Sequence, residues 1–251
     1  MTKPIKVLVN GAKGKMGLQT IETIQQDPEL TLRYALDKND SLNDICQNQK
    51  PDVIIDFTNP VGLKKRIKSY ISQQIPSIIG ATGLSETDQN ELHLMAKKHH
   101  CTVWVCPNFS ISALLMMKYA AEAAKYMPHI EIIEYHHDQK ADAPSGTAIK
   151  TADLIQKTYP NVNQTPLPEK DVAIGSRGAK TGNIPIHAIR LPGFVADQDV
   201  ILGGDDQTLL IRQTTLSRKA FMPGVRFALK NYHKLSSGLH YGLELLLFSE
   251  T

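Results

Sequence analysis

His136 and His137 stand side by side, followed by Lys140 and a Pro144-Ser145-Gly146-Thr147 turn, all within the stretch EYHHDQKADAPSGTA at residues 134–148. Imidazole is the side chain that titrates close to neutral pH. A general acid must hold a proton at working pH and release it readily, which a histidine beside a lysine can do. Ser145, Gly146 and Thr147 open a helix, whose first N–H groups lack intrahelical partners and whose dipole is positive at that end. Gly146 lets a ligand approach the backbone, and a carboxylate is the natural guest of such a terminus. Together these residues suit an anionic substrate that is protonated during a reaction. Taken singly, each has a plainer reading: a satisfied or surface histidine pair, and a Ser-Gly-Thr cap. No HExxH or CxxC pattern is present and Cys46, Cys101 and Cys106 are scattered, so no metal is expected.

The elements around this loop are legible. Residues 130–135 (IEIIEY) alternate and are rich in β-branched side chains, which predicts a strand. Residues 147–157 (TAIKTADLIQK) predict a helix that stops at Tyr159-Pro160. Neighbouring strand residues point to opposite faces, so the sequence leaves open which histidine meets the substrate.

A second chemistry lies at the start. The apolar run at residues 5–9 leads into Gly11-Ala12-Lys13-Gly14-Lys15-Met16-Gly17 and then a helical stretch through Ile24. Strand, glycine loop and helix in that order are the setting of a dinucleotide fingerprint. Gly11 permits the tight turn, Gly14 the approach of a pyrophosphate, and Gly17 close helix-to-strand packing, while Lys13 and Lys15 bring positive charge. A second strand at residues 31–36 ends at Asp37, placed to accept from ribose hydroxyls. Lys38 beside it can pair with a 2′-phosphate, so both NADH and NADPH are expected.

Further strand-then-loop units follow at residues 53–57, 77–79 and 102–106, each trailed by helical sequence. Alternating strands and helices predict a Rossmann-type doubly wound parallel α/β sheet. Ligands of such sheets sit outside the carboxyl ends of the strands. That places Phe57, Gly80, Ala81, Thr82, Cys106, Pro107, Asn108 and Phe109 along a cofactor-facing rim. Residues 110–127 predict a helix whose Leu/Met stripe is core. Strands are then expected at 184–191, 199–202 and 208–215, with hairpin turns at Gly193 and at Gly203 to Asp206. These make a second α+β domain with an open mixed sheet. From Ser217 the pattern returns to helix through Tyr232, and a Gly-rich amphipathic tail packs back on the first domain. The expected division is residues 1–109 with 218–251 for dinucleotide binding, and 110–217 for substrate binding and oligomerisation.

The 251-residue chain is 41% hydrophobic and 21% charged, with a net charge of +3. Its basic residues are dispersed, so no nucleic-acid surface is expected. Neither a signal core nor a membrane-length apolar run is visible, and few cysteines fit a reducing compartment. A cytoplasmic protein without membrane partners is the expectation.

The motifs NGAKGKMG, VIIDFT, IIGATG, PNFS, EYHHDQKADAPSGTA, IHAIRLPGFV, GGDDQTLLIR and SRKAFMPGV occur in that order along the chain. In this the chain resembles the bacterial 4-hydroxy-tetrahydrodipicolinate (dihydrodipicolinate) reductases over essentially its whole length; the histidine loop is the most specific part. The resemblance implies NAD(P)H-dependent reduction of a small cyclic dicarboxylate in the diaminopimelate route to lysine. It implies His136 as proton donor with Lys140 as its catalytic partner, and His137, Ser145, Gly146 and Thr147 as substrate-binding. It also implies cofactor contacts from Gly11, Ala12, Lys13, Gly14, Lys15, Met16, Asp37, Lys38 and the rim residues, and a homotetramer. Lys15 stands where the family often has arginine, and the segment after Lys38 is shorter than the family's. Two other readings fit the glycine loop equally well: a nicotinamide enzyme for a different small dicarboxylate or semialdehyde, and a nucleotide sensor without turnover.

Overall fold

The structure is a computed structural model that describes residues 3–37, 40, 49–164 and 172–249. Lys38, given a cofactor role from sequence, and Cys46 lie outside the described residues. The chain divides into two compact units, Met1–Ser110 with Phe221–Thr251, and Ile111–Ala220.

In the first unit, β1 (Ile5–Asn10), β2 (Leu30–Leu36), β3 (Val53–Asp56), β4 (Ser77–Ile79), β5 (Thr102–Val105) and β11 (Gly238–Tyr241) form a parallel sheet in the order β11-β5-β4-β3-β1-β2. Its central strands are apolar and wholly buried, Val7, Leu8, Val9, Ile54 and Ile55 among them, as expected of parallel strands covered on both faces. Helices α1 (Lys15–Gln25), α2 (Leu63–Ser72) and α3 (Glu86–Lys98) connect consecutive strands. Helix α3 starts at a capping box in which Ser85 and Asp88 bond each other's backbone N–H. The chain crosses from β2 on one side of β1 to β3 on the other, so the crevice beyond β1 and β3 is the switch point of the sheet. The expected tail is in fact the strand β11, paired in register with β5 from Gly238↔Thr102 to Tyr241↔Val105. Trp104 Nε1 donates to Gly242 O at 2.8 Å and pins it there. The helix expected from Ser217 begins later: α6 is Met222–Asn231, preceded by a 3₁₀ turn at Arg218–Phe221, with Pro223 in its first turn.

In the second unit, β6 (His129–His136), β7 (Ala179–Thr181), β8 (Ile184–Arg190), β9 (Ala196–Gly204) and β10 (Gln207–Gln213) form a mixed sheet in the order β10-β9-β6-β8-β7. Only β6 and β8 run parallel. Helices α4 (Ile111–Ala123) and α5 (Gly146–Thr158) pack on each other and on this sheet. Ile130, Ile132, Ile186, Val200 and Leu202 are buried in register on one face of the sheet. The turn at Asp205 and Asp206 does close the β9–β10 hairpin, with Asp206 at φ 55°. Gly193 does not close a hairpin: β6 lies between β8 and β9, so the chain passes over it, and Gly203 and Gly204 belong to β9 itself.

Candidate active site

In the second unit, strand alternation puts Ile132, Glu134 and His136 on one face of β6. Parallel pairing sets Ala188 beside Glu134 and Arg190 beside His136, while antiparallel pairing with β9 sets Gln198 beside Glu134. The Glu134 side chain is completely buried, and both of its oxygens are used. Oε2 meets His136 Nδ1 in a short contact and accepts from Arg190 Nη1 at 2.9 Å. Oε1 accepts from Arg190 Nη2 at 2.7 Å and from Ser145 N at 3.1 Å. Burial alone would push the Glu134 carboxyl up; hydrogen bonds from His136 and Arg190 outweigh it and hold the group below the ordinary carboxylate range. His136 is thereby distinguished from His137, which lies beyond the strand and accepts from Lys140 N through its carbonyl.

The loop between β6 and α5 is tied to the same carboxylate. Arg190 Nη2 also donates to Asp142 O at 2.7 Å, and Lys140 Nζ donates to Asp142 Oδ1 and Oδ2 at 2.7 and 2.6 Å. The Lys140 hydrogen bond holds the Asp142 carboxyl below its usual range. Ser145, expected to touch substrate, is buried: its oxygen accepts from Ala148 N at 3.2 Å and its own N–H goes to Glu134. Ser145 therefore caps the helix, leaving the Gly146 and Thr147 amides at the first two helical positions without intrahelical partners. Gly146 is exposed, with nothing within 4 Å of where a Cβ would stand, so a ligand can reach those amides. Thr147 is braced from below, its carbonyl accepting from Thr151 Oγ1, which accepts from Gln198 Nε2. A cleft of about 440 Å³ beside the loop, lined by Ala143, Pro144, Ile186 and His187 among others, includes none of the expected site residues.

In the first unit, the residues expected to meet the cofactor lie along the carboxyl edge of the parallel sheet. Gly11 takes φ +82°, and a Cβ there would stand 3.0 Å from the Phe57 carbonyl carbon. A Cβ on Gly17 would lie 2.2 Å from Gly11 O, so this glycine is what lets α1 sit against the loop. Helix α1 starts at Gly14 with no side-chain cap and no acidic residue in its first turn. Lys13, Gly14 and Lys15 are exposed and Met16 is half-buried. Asp37 follows β2, its carboxylate 3.3 Å from Lys13 Nζ. Uncapped amides, flanking lysines and a carboxylate at the end of β2 fit a dinucleotide's pyrophosphate and ribose. Phe57 lies over Gly80, where a Cβ would come within 2.5 Å of its ring, and packs edge-on against Phe109 at 5.5 Å. Thr82 is exposed and Pro107 and Asn108 are half-buried, but Ala12, Ala81, Cys106 and Phe109 are buried.

Sequence reasoning missed a buried carboxylate under this rim. Asp56 accepts from Tyr70 OH at 2.7 Å, from Thr58 N and Oγ1 at 2.8 and 2.6 Å, and from Arg66 Nε at 3.2 Å. Arg66 then reaches Asn59 O and Val61 O, which fixes the loop after Phe57. It missed Glu134 and Arg190 as well. Glu134 was within reach, since two residues' spacing on a strand puts it on the face of His136; nothing local pointed to Arg190. Among the described residues no cluster of three or more His, Cys, Asp or Glu could hold a metal, and no helix is long and apolar enough to cross a membrane.

The sequence and the fold both have known counterparts. The family described as "Dihydrodipicolinate reductase, N-terminus" matches residues 5–109, and "Dihydrodipicolinate reductase, C-terminus" matches residues 112–247. The 4-hydroxy-tetrahydrodipicolinate reductase of Syntrophomonas wolfei is 42% identical, covering 98% of this chain and 100% of that protein. That of Lysinibacillus sphaericus is 38% identical, covering 97% and 99%. A solved dipicolinate-bound dihydrodipicolinate reductase from Paenisporosarcina sp. TG-14 shares the fold at TM-score 0.86 and 33% identity, over 97% of this chain and 99% of that one. Because these likenesses run through both units, glycine loop and histidine loop alike, the chain belongs to the dihydrodipicolinate reductase family.

Proposed function

We propose that this chain reduces 4-hydroxy-tetrahydrodipicolinate to tetrahydrodipicolinate with NADH or NADPH, in the diaminopimelate route to lysine, and that His136 supplies the proton. The observation that carries the reading is the meeting, in one loop, of an imidazole whose Nδ1 is already engaged and a helix terminus with two open amides. Membership of a family whose curated members bear that reaction's name supports it.

The first unit binds the dinucleotide at Gly11 to Met16, Asp37 and the rim, and the second binds the substrate. A bound nicotinamide supplies the hydride. Gly146 and Thr147 N–H hold a ring carboxylate, stabilised by the positive end of α5. Lys140 exchanges Asp142 for a substrate carboxylate or polarises the ring nitrogen, and His137 completes the substrate contacts. The substrate loses its 4-hydroxyl as water to give the conjugated imine that takes the hydride; with Nδ1 directed at Glu134, the transferable proton of His136 sits on Nε2 and passes to the ring carbon that the hydride leaves electron-rich. The enzyme works in the cytoplasm as a homotetramer joined through its mixed sheets. That assembly is supported by the face opposite the buried one, where Ile133, Ile189 and Ile201 stay half-buried and Leu210 is 52% exposed.

The test is oxidation of NADH, and separately of NADPH, followed by absorbance, with substrate generated in the cuvette from pyruvate and aspartate semialdehyde by the preceding synthase. Oxidation that stops when the synthase is left out establishes the reaction. Intact cofactor binding without oxidation would leave a different substrate or a sensor.

A further inference from the structure

We propose that Glu134, clamped by Arg190, is the positioning residue of the proton donor: it dictates which nitrogen of His136 gives up the proton. This rests on the reading of His136 as general acid.

Three observations converge. The carboxylate is wholly buried and receives four hydrogen bonds, from His136, from two nitrogens of Arg190 and from the Ser145 amide. A buried carboxylate with that many donors stays ionised, and an ionised carboxylate can only accept. The hydrogen between it and His136 therefore belongs to Nδ1 in both protonation states of the ring. Nε2 is left as the atom that gains and loses a proton, and the deprotonated ring is the Nδ1–H tautomer.

The charged groups of the cluster are Glu134 from β6, Arg190 from β8, and Lys140 and Asp142 from the loop. Strand β9 contributes Ala196 and Gln198, and α5 contributes Ser145 at its cap and Thr151, none of them charged. Arg190 keeps Glu134 ionised, while Lys140 is itself neutralised by Asp142. Glu134 is therefore the acceptor that His136 Nδ1 faces. Through Ser145 N the same carboxylate also holds the cap of α5, so the proton donor and the carboxylate-binding amides share one anchor.

Two measurements decide this. The first is ¹⁵N–¹H correlation NMR of the histidine rings of the full-length protein, with His136 assigned by loss of its signals in H136Q. The neutral ring should be Nδ1–H; a neutral Nε2–H ring would overturn the proposal. The second is the split between kcat and KM in Glu134→Gln. A ring whose Nδ1 is no longer held by an obligate acceptor should lower kcat about tenfold or more, whereas loss of the Ser145 anchor alone would raise KM. An unchanged kcat, even with a raised KM, would make Glu134 only the anchor of Ser145 and overturn the proposal. If Glu134→Gln does not fold, the wild-type tautomer decides alone. A wild type that fails to oxidise NAD(P)H would sink the reaction instead, because the tautomer is read without substrate.

Discussion

Helices α1 and α5 both present unpaired amides suited to an anion, and their approaches are shaped in contrasting ways. Before α1 the chain removes side chains: Gly11, Gly14 and Gly17 let three backbone segments crowd together, and no side chain caps the helix. Before α5 the chain adds polar groups: Ser145 occupies the Ala148 amide, and a buried carboxylate bound by Arg190 holds Ser145 and His136 together. A site that only binds phosphates needs close backbone approach. One that also moves a proton needs a charge whose own environment is fixed.

The largest effect expected from this contrast is on turnover. Replacing His136 by Gln should lower kcat by about 10²–10⁴, the range of a lost general acid, while NADH titrated by fluorescence binds as before. Gly17→Ala should do the reverse. Its Cβ would fall 2.2 Å from Gly11 O and 2.8 Å from Ala12 Cα, both backbone atoms that cannot yield without moving the loop. Overpacking of this kind costs about 1–3 kcal/mol, so NADH affinity should drop about tenfold or more, as the same titration would read. If Gly17→Ala bound NADH normally, the steric account of the first loop would fail.

The same contrast explains what the sequence disclosed. The glycine loop is local: strand, turn and helix adjoin in the chain, so residues 5–24 can be read without knowing the fold. The histidine loop was legible in its types, since His136, Lys140 and Ser145 lie close together. Its anchor was not, because Arg190 lies 56 residues from Glu134 and meets it only through the β6–β8 pairing. Strand β11 was hidden for the same reason. GLHY is too short to announce itself, and it becomes a strand by pairing with β5 across most of the chain. At Gly193 the turn chemistry was real, but a turn does not say which strand lies between its arms.

Smaller effects sharpen the second half of the contrast. Glu134 has a depressed proton affinity in the fold, so its contribution to stability is complete above the ordinary carboxylate range and is lost as pH falls through its lower folded value. Thermal melts from about pH 7 down to about pH 3 should therefore show wild type losing more stability than Glu134→Gln over the acid part of the series. Equal losses would mean the carboxylate is not stabilised in its charged form. Ser145→Ala removes a cap and should cost about 0.5–2 kcal/mol in denaturant unfolding, with a higher KM because the amides proposed to hold the substrate fray with the first turn. Position 14 has no cap to lose, which is why no equivalent deletion exists in α1.

Each site also holds a lysine against a nearby carboxylate, and here the two should respond with opposite signs. Lys13 Nζ lies 3.3 Å from Asp37, and Lys140 Nζ lies 2.6 Å from Asp142. Asp37 sits where ribose hydroxyls would be accepted, so Asp37→Ala removes a ligand contact and should raise the KM for NADH. Asp142 occupies the ammonium that we propose meets a substrate carboxylate, so Asp142→Asn removes a competitor and should lower the substrate KM. The gain is bounded, since an ion pair with one partner 67% exposed is worth about 1 kcal/mol at most, or about fivefold. The backbone carbonyl of Asp142, which Arg190 holds, is untouched by the change. Steady-state kinetics of both variants at low and raised salt read the outcome: screening should erase the Asp142→Asn gain, whereas loss of a direct ribose contact at Asp37 should persist.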